Sequence, residues 1–274
     1  MISRNVLLGA PLKLTPWRKL AVGSWKNVCE ASIYSTLELE VDPVLARIEE
    51  LRQQTGEKIT LTSVLVYAVA ETMKNYPALN VLLRLGRLYP RKSVDIFVHV
   101  AVDKRGDDLT GFVVRQADQK KITRIAQECA GAAAGVRGDG GRDAFSKTKK
   151  LFGLFPGFLA RPLLGLSSFI LYTLNLWSPL IGVPRDSFGS AMVTNVGALG
   201  ISTAFAPIAP YTRVPLVIAA GSTEKRAVVR DGAVRTVTIL PLSVTIDHRV
   251  IDGLYAGLMS RRLKEIFSNP AALH

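Results

Sequence analysis

Leu240-Pro241-Leu242-Ser243-Val244-Thr245-Ile246-Asp247-His248-Arg249-Val250-Ile251-Asp252-Gly253 is the stretch on which the reading of this chain turns. Its first half completes a run, Val237 to Ile246, rich in β-branched residues, which predicts a strand. Beyond Gly253, Leu254, Leu258, Leu263 and Ile266 fall roughly on one helical face, and Pro270 follows as a stop. The stretch is therefore a strand-to-helix junction. Asp252 is the candidate N-cap, and Gly253 is expected to let the chain turn tightly. One of only three histidines stands at this junction, where a side chain can be fixed by backbone on both sides and still reach a pocket. An imidazole with its ordinary pKa near ~6.5 suits a general base at neutral pH. On these residues alone a capped or solvated histidine before an ordinary Asp-Gly turn remains the competing reading.

Upstream, the chain alternates between the two regular structures. Ile33, Ser35, Leu37, Leu39 and Val41 alternate roughly, and Asp42-Pro43 then starts a helix running through Leu45, Ile48 and Leu51 toward Gly56. A second helix, Thr60 to Tyr76, is apolar enough to be largely buried, and Pro77 ends it. Residues 79–103 predict a strand, a turn at Gly86 and a strand. Arg84, Arg87, Arg91 and Lys92 make a basic patch, expected as a solvated hairpin. His99 lies inside the apolar strand and is expected to be structural. A polar turn at Asp103 to Asp108 leads to a strand at Gly111–Arg115 and a helix from Ile122 to about Val136. Gly138-Asp139-Gly140-Gly141 lacks the spacing of a phosphate loop and reads as a linker.

Composition narrows the classes. With 48% hydrophobic residues in 274, the chain can bury a substantial core. Two cysteines, Cys29 and Cys129, lie far apart without metal-ligand spacing, so neither a disulfide framework nor a metal site is expected. They read as idle thiols in a reducing, cytoplasmic setting. No secretory leader is expected at Met1 to Thr15. The net charge of +13 favours anionic partners. Zinc-finger spacing, an RNA-binding signature and a helix-turn-helix pattern are all missing from the sequence, so nucleic acid is not expected among them. A phosphorylated small molecule suits a basic surface equally well.

Residues 240–253 resemble the catalytic segment of the dihydrolipoamide acyltransferases, the acyltransferase cores of 2-oxo acid dehydrogenase complexes; chloramphenicol acetyltransferase shares the H-x-x-x-D-G pattern. Other segments resemble the family in order. They are Trp17-Arg18-Lys19-Leu20-Ala21, Val100-Ala101-Val102-Asp103, Ala191-Met192-Val193-Thr194-Asn195-Val196-Gly197, Phe205-Ala206-Pro207-Ile208 and Asp231-Gly232. The likeness covers roughly residues 11–144 and 186–270. Peptide-synthetase condensation domains also carry H-x-x-x-D-G, usually with a second histidine where this chain has Asp247.

The resemblance implies an α/β two-layer sandwich with a mixed β-sheet, chloramphenicol acetyltransferase-like, as one catalytic domain over residues 1–274. It implies a homotrimer, or multiples of one, with each site between subunits. Coenzyme A or acyl-coenzyme A is then a substrate, and no covalently bound cofactor is expected. His248 is implied as general base, and Thr194 as oxyanion donor where the family usually has serine. Asp252 is implied to hold the catalytic loop by pairing with an arginine, Arg18 being the match; Gly253 and Asn195 support the site. Asp247 and Arg249 are given surface or loop-anchoring roles. Lipoyl and partner-binding domains find no room, so a stand-alone form using coenzyme A thioesters, or a core acting on a separate carrier, is expected.

Residues 145–185 depart from the family. Lys147, Lys149 and Lys150 precede an apolar stretch, and Pro162 to Pro184 carry no charge. That is long enough to span a bilayer, but Pro162, Gly165, Pro179 and Gly182 interrupt it. Three readings stand: two short helices packed on the core or a neighbour, a wall for a hydrophobic acyl chain or acceptor, and a peripheral membrane anchor. A non-catalytic trimeric scaffold is the alternative to the enzyme.

Overall fold

The computed structural model describes residues 3–13, 31–101, 109–137, 159–179 and 183–273. The basic opening helix with Trp17 and Arg18, the polar turn at 103–108, the glycine turn at 138–141, the lysines at 147–150 and Cys29 lie outside the described residues.

The elements in chain order are β1 (Ser3–Arg4), β2 (Ser32–Glu40), α1 (Asp42–Thr55), α2 (Leu61–Asn75), β3 (Val81–Arg84), β4 (Arg87–Pro90), β5 (Ile96–Ala101), β6 (Leu109–Val114) and α3 (Ile122–Arg137). There follow α4 (Ala160–Ser168), β7 (Leu176–Trp177), β8 (Ala191–Asn195), β9 (Leu216–Ala220), β10 (Glu224–Arg230), β11 (Ala233–Asp247) and α5 (Gly253–Ser268). One seven-stranded mixed sheet has the order β10-β11-β9-β8-β5-β6, with β2 on β11 as well. β5, β8 and β9 run parallel, and the remaining pairings are antiparallel.

Strand alternation divides the sheet into two faces. On one, Leu242, Val244 and Ile246 of β11, Val193 of β8 and Ile218 of β9 meet Val64, Leu65 and Ala68 of α2 and Leu263 and Phe267 of α5. On the other, Phe97, Met192 and Val217 meet Ile208 and Val214 from the loop before β9. α1, α2, α3 and α5 thus form one layer, and the second face is covered by the loop before β9, on which α4 packs.

Local chemistry sets the joints. Thr60 and Ser63 form a reciprocal capping box at the start of α2, and Gly56 closes α1 in the left-handed region. Asp231 and Gly232, both at positive φ, make the tight turn between β10 and β11. Gly189 has φ +65°, and a Cβ there would lie 2.3 Å from the Asp95 carbonyl oxygen, so glycine is required where the chain enters β8.

Asp42, at the first turn of α1, accepts from Thr238 Oγ1 at 2.6 Å and from Thr238 N at 2.7 Å, tying the helix to β11. These bonds lower its carboxyl pKa, the hydroxyl bond most. A lowered folded value means the contribution to stability is present above the unfolded value and is lost as pH falls through the folded one. The melting-temperature gap between wild type and Asp42→Asn is therefore expected to be widest at neutral pH and to close in acid.

Two sequence expectations change. Residues 79–103 hold three strands instead of two, because the chain breaks at Arg91-Lys92-Ser93 after Pro90. The basic hairpin is not simply solvated. Arg91 has a side chain 2% exposed and pairs with Asp186 Oδ2 at 2.5 Å, while Arg84 donates to the Thr173 carbonyl. Arg84 therefore holds the hairpin to the segment that departs from the family, and Arg91 holds it to the first residue after that segment. That segment carries α4, a π-helical turn at Phe169–Thr173 and β7, which pairs with β1. Leu171 and Tyr172 pack on Val6 and Leu82. Asn175 exchanges both its amide groups with the Val6 backbone, at 2.7 and 2.9 Å. No helix among the described residues is long and apolar enough to cross a membrane.

Candidate active site

β11 is paired on both edges up to its last residue. The Asp247 N–H donates to the Pro215 carbonyl and the next N–H, of His248, donates to the Ala31 carbonyl, each at 2.9 Å. The chain then turns sharply: the Asp247 carbonyl accepts from the N–H groups of both Val250 and Ile251. His248 is half-buried on this turn. Its Nδ1 lies 3.1 Å from the Ile251 carbonyl oxygen. A carbonyl oxygen only accepts, so this contact requires the proton on Nδ1 and leaves the basic lone pair of the neutral ring on Nε2.

The residues on either side of the histidine brace the turn. Asp247 accepts from Arg249 N and Nε, both at 3.0 Å, and from Arg249 Nη2 at 2.8 Å. Both side chains are buried. Loop anchoring is what this geometry does, and the surface role considered for them is excluded by their burial. Asp252 accepts from the Tyr255 N–H at 3.2 Å and caps α5, as its position predicts. Such a cap contributes about 0.5–2 kcal/mol. Arg18, expected to pair with it, lies outside the described residues. Gly253 corrects an expectation. It has no positive φ, and a Cβ added to it meets nothing within 4 Å, so the turn does not need glycine there. The absence of a side chain leaves space beside the turn that carries His248 instead.

Thr194 is half-buried near the end of β8. Asn195 next to it donates to Thr62 Oγ1 at 2.9 Å and accepts from Ala198 N at 3.1 Å, fixing the loop after β8 to the start of α2. Asn195 thus supports the end of β8.

Within one chain the sheet keeps the histidine and the threonine apart. Thr194 pairs with Ala219, and Ala219 with Ser243. His248 lies five positions beyond Ser243, past the opposite end of β9. At about 3.3 Å per residue along the strands and about 4.8 Å per strand across them, the two are close to ~20 Å apart. No atom of one substrate bridges that distance to be held by both. A cavity of about 450 Å³ lies elsewhere, lined by Asn5, Arg91, Asp95, Arg115, Trp177 and Asp186 among others, and neither residue lines it.

Several contributors near the histidine were not legible in the sequence. Arg213, at positive φ, donates from Nε to Ser168 Oγ at 3.0 Å. Its pKa is lowered by burial first and then by the Arg249 cation. Tyr34 of β2 meets Phe205 edge-on at 5.5 Å between ring centres. Each joins residues remote in sequence, and no local pattern marks such contacts. Cys129 takes no part: burial pushes its thiol up to about 12, which keeps it protonated. Among the described residues no cluster of His, Cys, Asp and Glu is arranged to hold a metal.

A family model described as 2-oxoacid dehydrogenases acyltransferase (catalytic domain) matches residues 13–140 and 186–274. The unmatched stretch between them coincides with the departure read at 145–185. A dihydrolipoyllysine-residue acetyltransferase component of pyruvate dehydrogenase complex from Rickettsia bellii (strain RML369-C) is 24% identical over 245 residues, covering 88% of this chain and 48% of the relative. The chain thus spans about half the length of the curated relatives it matches. The solved dihydrolipoamide acetyltransferase of Azotobacter vinelandii superposes with a TM-score of 0.65 at 21% identity, over 97% of this chain and 94% of that one. A chloramphenicol acetyltransferase superposes with a TM-score of 0.50 at 13% identity, over 94% of this chain and all of that one. These likenesses agree with the fold expected from the sequence.

Proposed function

Because the chain belongs to the family of 2-oxoacid dehydrogenase acyltransferase catalytic domains, we propose that it moves an acyl group between coenzyme A and a lipoyl-type thiol or another acceptor. The observation that carries this reading is the His248 ring, held by the Ile251 carbonyl in the tautomer that presents Nε2 as a base.

In the thiol case, His248 Nε2 takes the proton as the acceptor sulfur attacks the thioester carbonyl carbon. The carbonyl oxygen becomes an oxyanion, which the Thr194 hydroxyl stabilises by donating to it. Collapse breaks the bond to the coenzyme A sulfur, and the imidazolium returns its proton to that thiolate. A substrate positioned this way needs both residues at one place. The register keeps them near opposite ends of the sheet in one chain, which favours a homotrimer whose sites take His248 from one subunit and Thr194 from its neighbour. Coenzyme A is a substrate in this scheme, and no covalently bound cofactor is invoked.

The test is release of free coenzyme A from acyl-coenzyme A thioesters with dihydrolipoamide or another small thiol, measured on the folded oligomer. Saturable release dependent on the thiol is expected. A discrete oligomer that neither binds nor cleaves any thioester would instead be the non-catalytic scaffold.

A further inference from the structure

We propose that α4 and the π-helical turn after it form an apolar wall of the acceptor path, so that the preferred acceptor is a thiol or hydroxyl on a hydrophobic body. This rests on the acyl-transfer reading above.

The first support is position. Ser168, the last residue of α4, holds Arg213, and two residues later the Pro215 carbonyl accepts from Asp247, the neighbour of the catalytic histidine. Arg213 also lies within electrostatic reach of both Asp247 and Arg249. The segment absent from the family model therefore sits at the His248 end of the sheet, not at the Thr194 end. The second support is orientation. Ser168, Leu171 and Tyr172 are buried and fix the segment, while Leu166 and Phe169, one helical turn apart, are 56% and 47% exposed. Packing among the described residues does not cover these two large apolar side chains on an anchored helix. The third support is charge. Pro162 to Pro184 contain no charged residue before Arg185. Binding the phosphates of coenzyme A calls for cations, and past Arg161 in its first turn the wall supplies none. The substrate that fits it is the other one, through an apolar portion.

Acyl transfer is measured from one acyl-coenzyme A to alkyl thiols of two to eight carbons, in wild type and in Leu166→Ser/Phe169→Ser. In wild type, kcat/KM is expected to rise about two- to fourfold per added methylene until the wall is covered. In the double variant that slope is expected to flatten to less than about 1.5-fold per methylene. An unchanged slope in the variant overturns the proposal, as does a flat profile in wild type. A changed oligomeric state in the variant also overturns it, by marking the face as a subunit contact. If wild type transfers to no thiol at all, the acyl-transfer reading itself fails. Turnover without chain-length preference sinks only the wall.

Discussion

Replacing His248 by alanine is expected to lower acyl-transfer turnover by about 10²–10⁴-fold while leaving the oligomer folded. The side chain is half-buried at the surface end of β11, and the strand pairing around it is made by backbone groups. Losing the ring therefore removes the base without removing the strand. Thr194→Val is expected to cost about 10²–10³-fold by deleting the oxyanion donor, with the strand preference of the site preserved. The two variants together test where the site is assembled. If each site joins His248 of one subunit to Thr194 of its neighbour, co-refolding equal amounts of the two inactive variants restores about one quarter of wild-type activity by random assortment in a symmetric trimer. If both residues served the same chain, no mixture would regain activity, because every chain would lack one of them. Steady-state release of coenzyme A before and after mixing is the measurement. A fully active His248→Ala oligomer would overturn the catalytic assignment.

The second large effect is expected at a pair that touches no substrate. Asp247→Ala leaves the Arg249 guanidinium buried beside His248 without its two contacts to the carboxylate, and the Arg249 N–H without its acceptor. Breaking a buried pair from one side costs about 3–5 kcal/mol, a large share of the stability of an ordinary domain. The expected result is a lowered midpoint in denaturant together with reduced turnover, since the same clamp shapes the turn carrying His248. Replacing both partners by apolar residues, Asp247→Leu with Arg249→Met, removes the uncompensated charge. It is expected to recover stability but not turnover. A double variant as unstable as the single one would mean that the pair acts through backbone geometry and not through burial of charge. Chemical denaturation and kinetics on the same samples separate the two.

The sequence exposed what depends on neighbours along the chain. β-branched residues before Asp247 and the helical spacing after Gly253 gave β11 and α5, and Asp252 was readable as their joint because an N-cap is a local hydrogen bond. Asp231-Gly232, noted through the family resemblance, makes the hairpin turn because left-handed backbone selects those residues. The departure at 145–185 was legible as an uncharged stretch with no counterpart in the resembling family, and the family model leaves the same region unmatched. Two expectations went astray. Arg91 looked like a solvated hairpin cation, but Asp186, far along the chain, takes it into the interior. Gly253 was expected to let the chain turn tightly, but its backbone proves ordinary and a Cβ there would meet nothing.

By itself, the sequence determined β11, α5 and the cap that joins them, and it named His248 and Thr194 as candidates with the chemistry those side chains are able to do. Only the tertiary structure decided that the Ile251 carbonyl selects the tautomer of His248, and that Asp247 and Arg249 close on each other. It alone placed the unmatched segment at the histidine end of the sheet and Thr194 at the other. The reason is physical. Periodicity and capping are set by hydrogen bonds a few residues long, whereas register, burial and the meeting of distant side chains are set by which strands pair, and pairing joins residues that no local pattern connects.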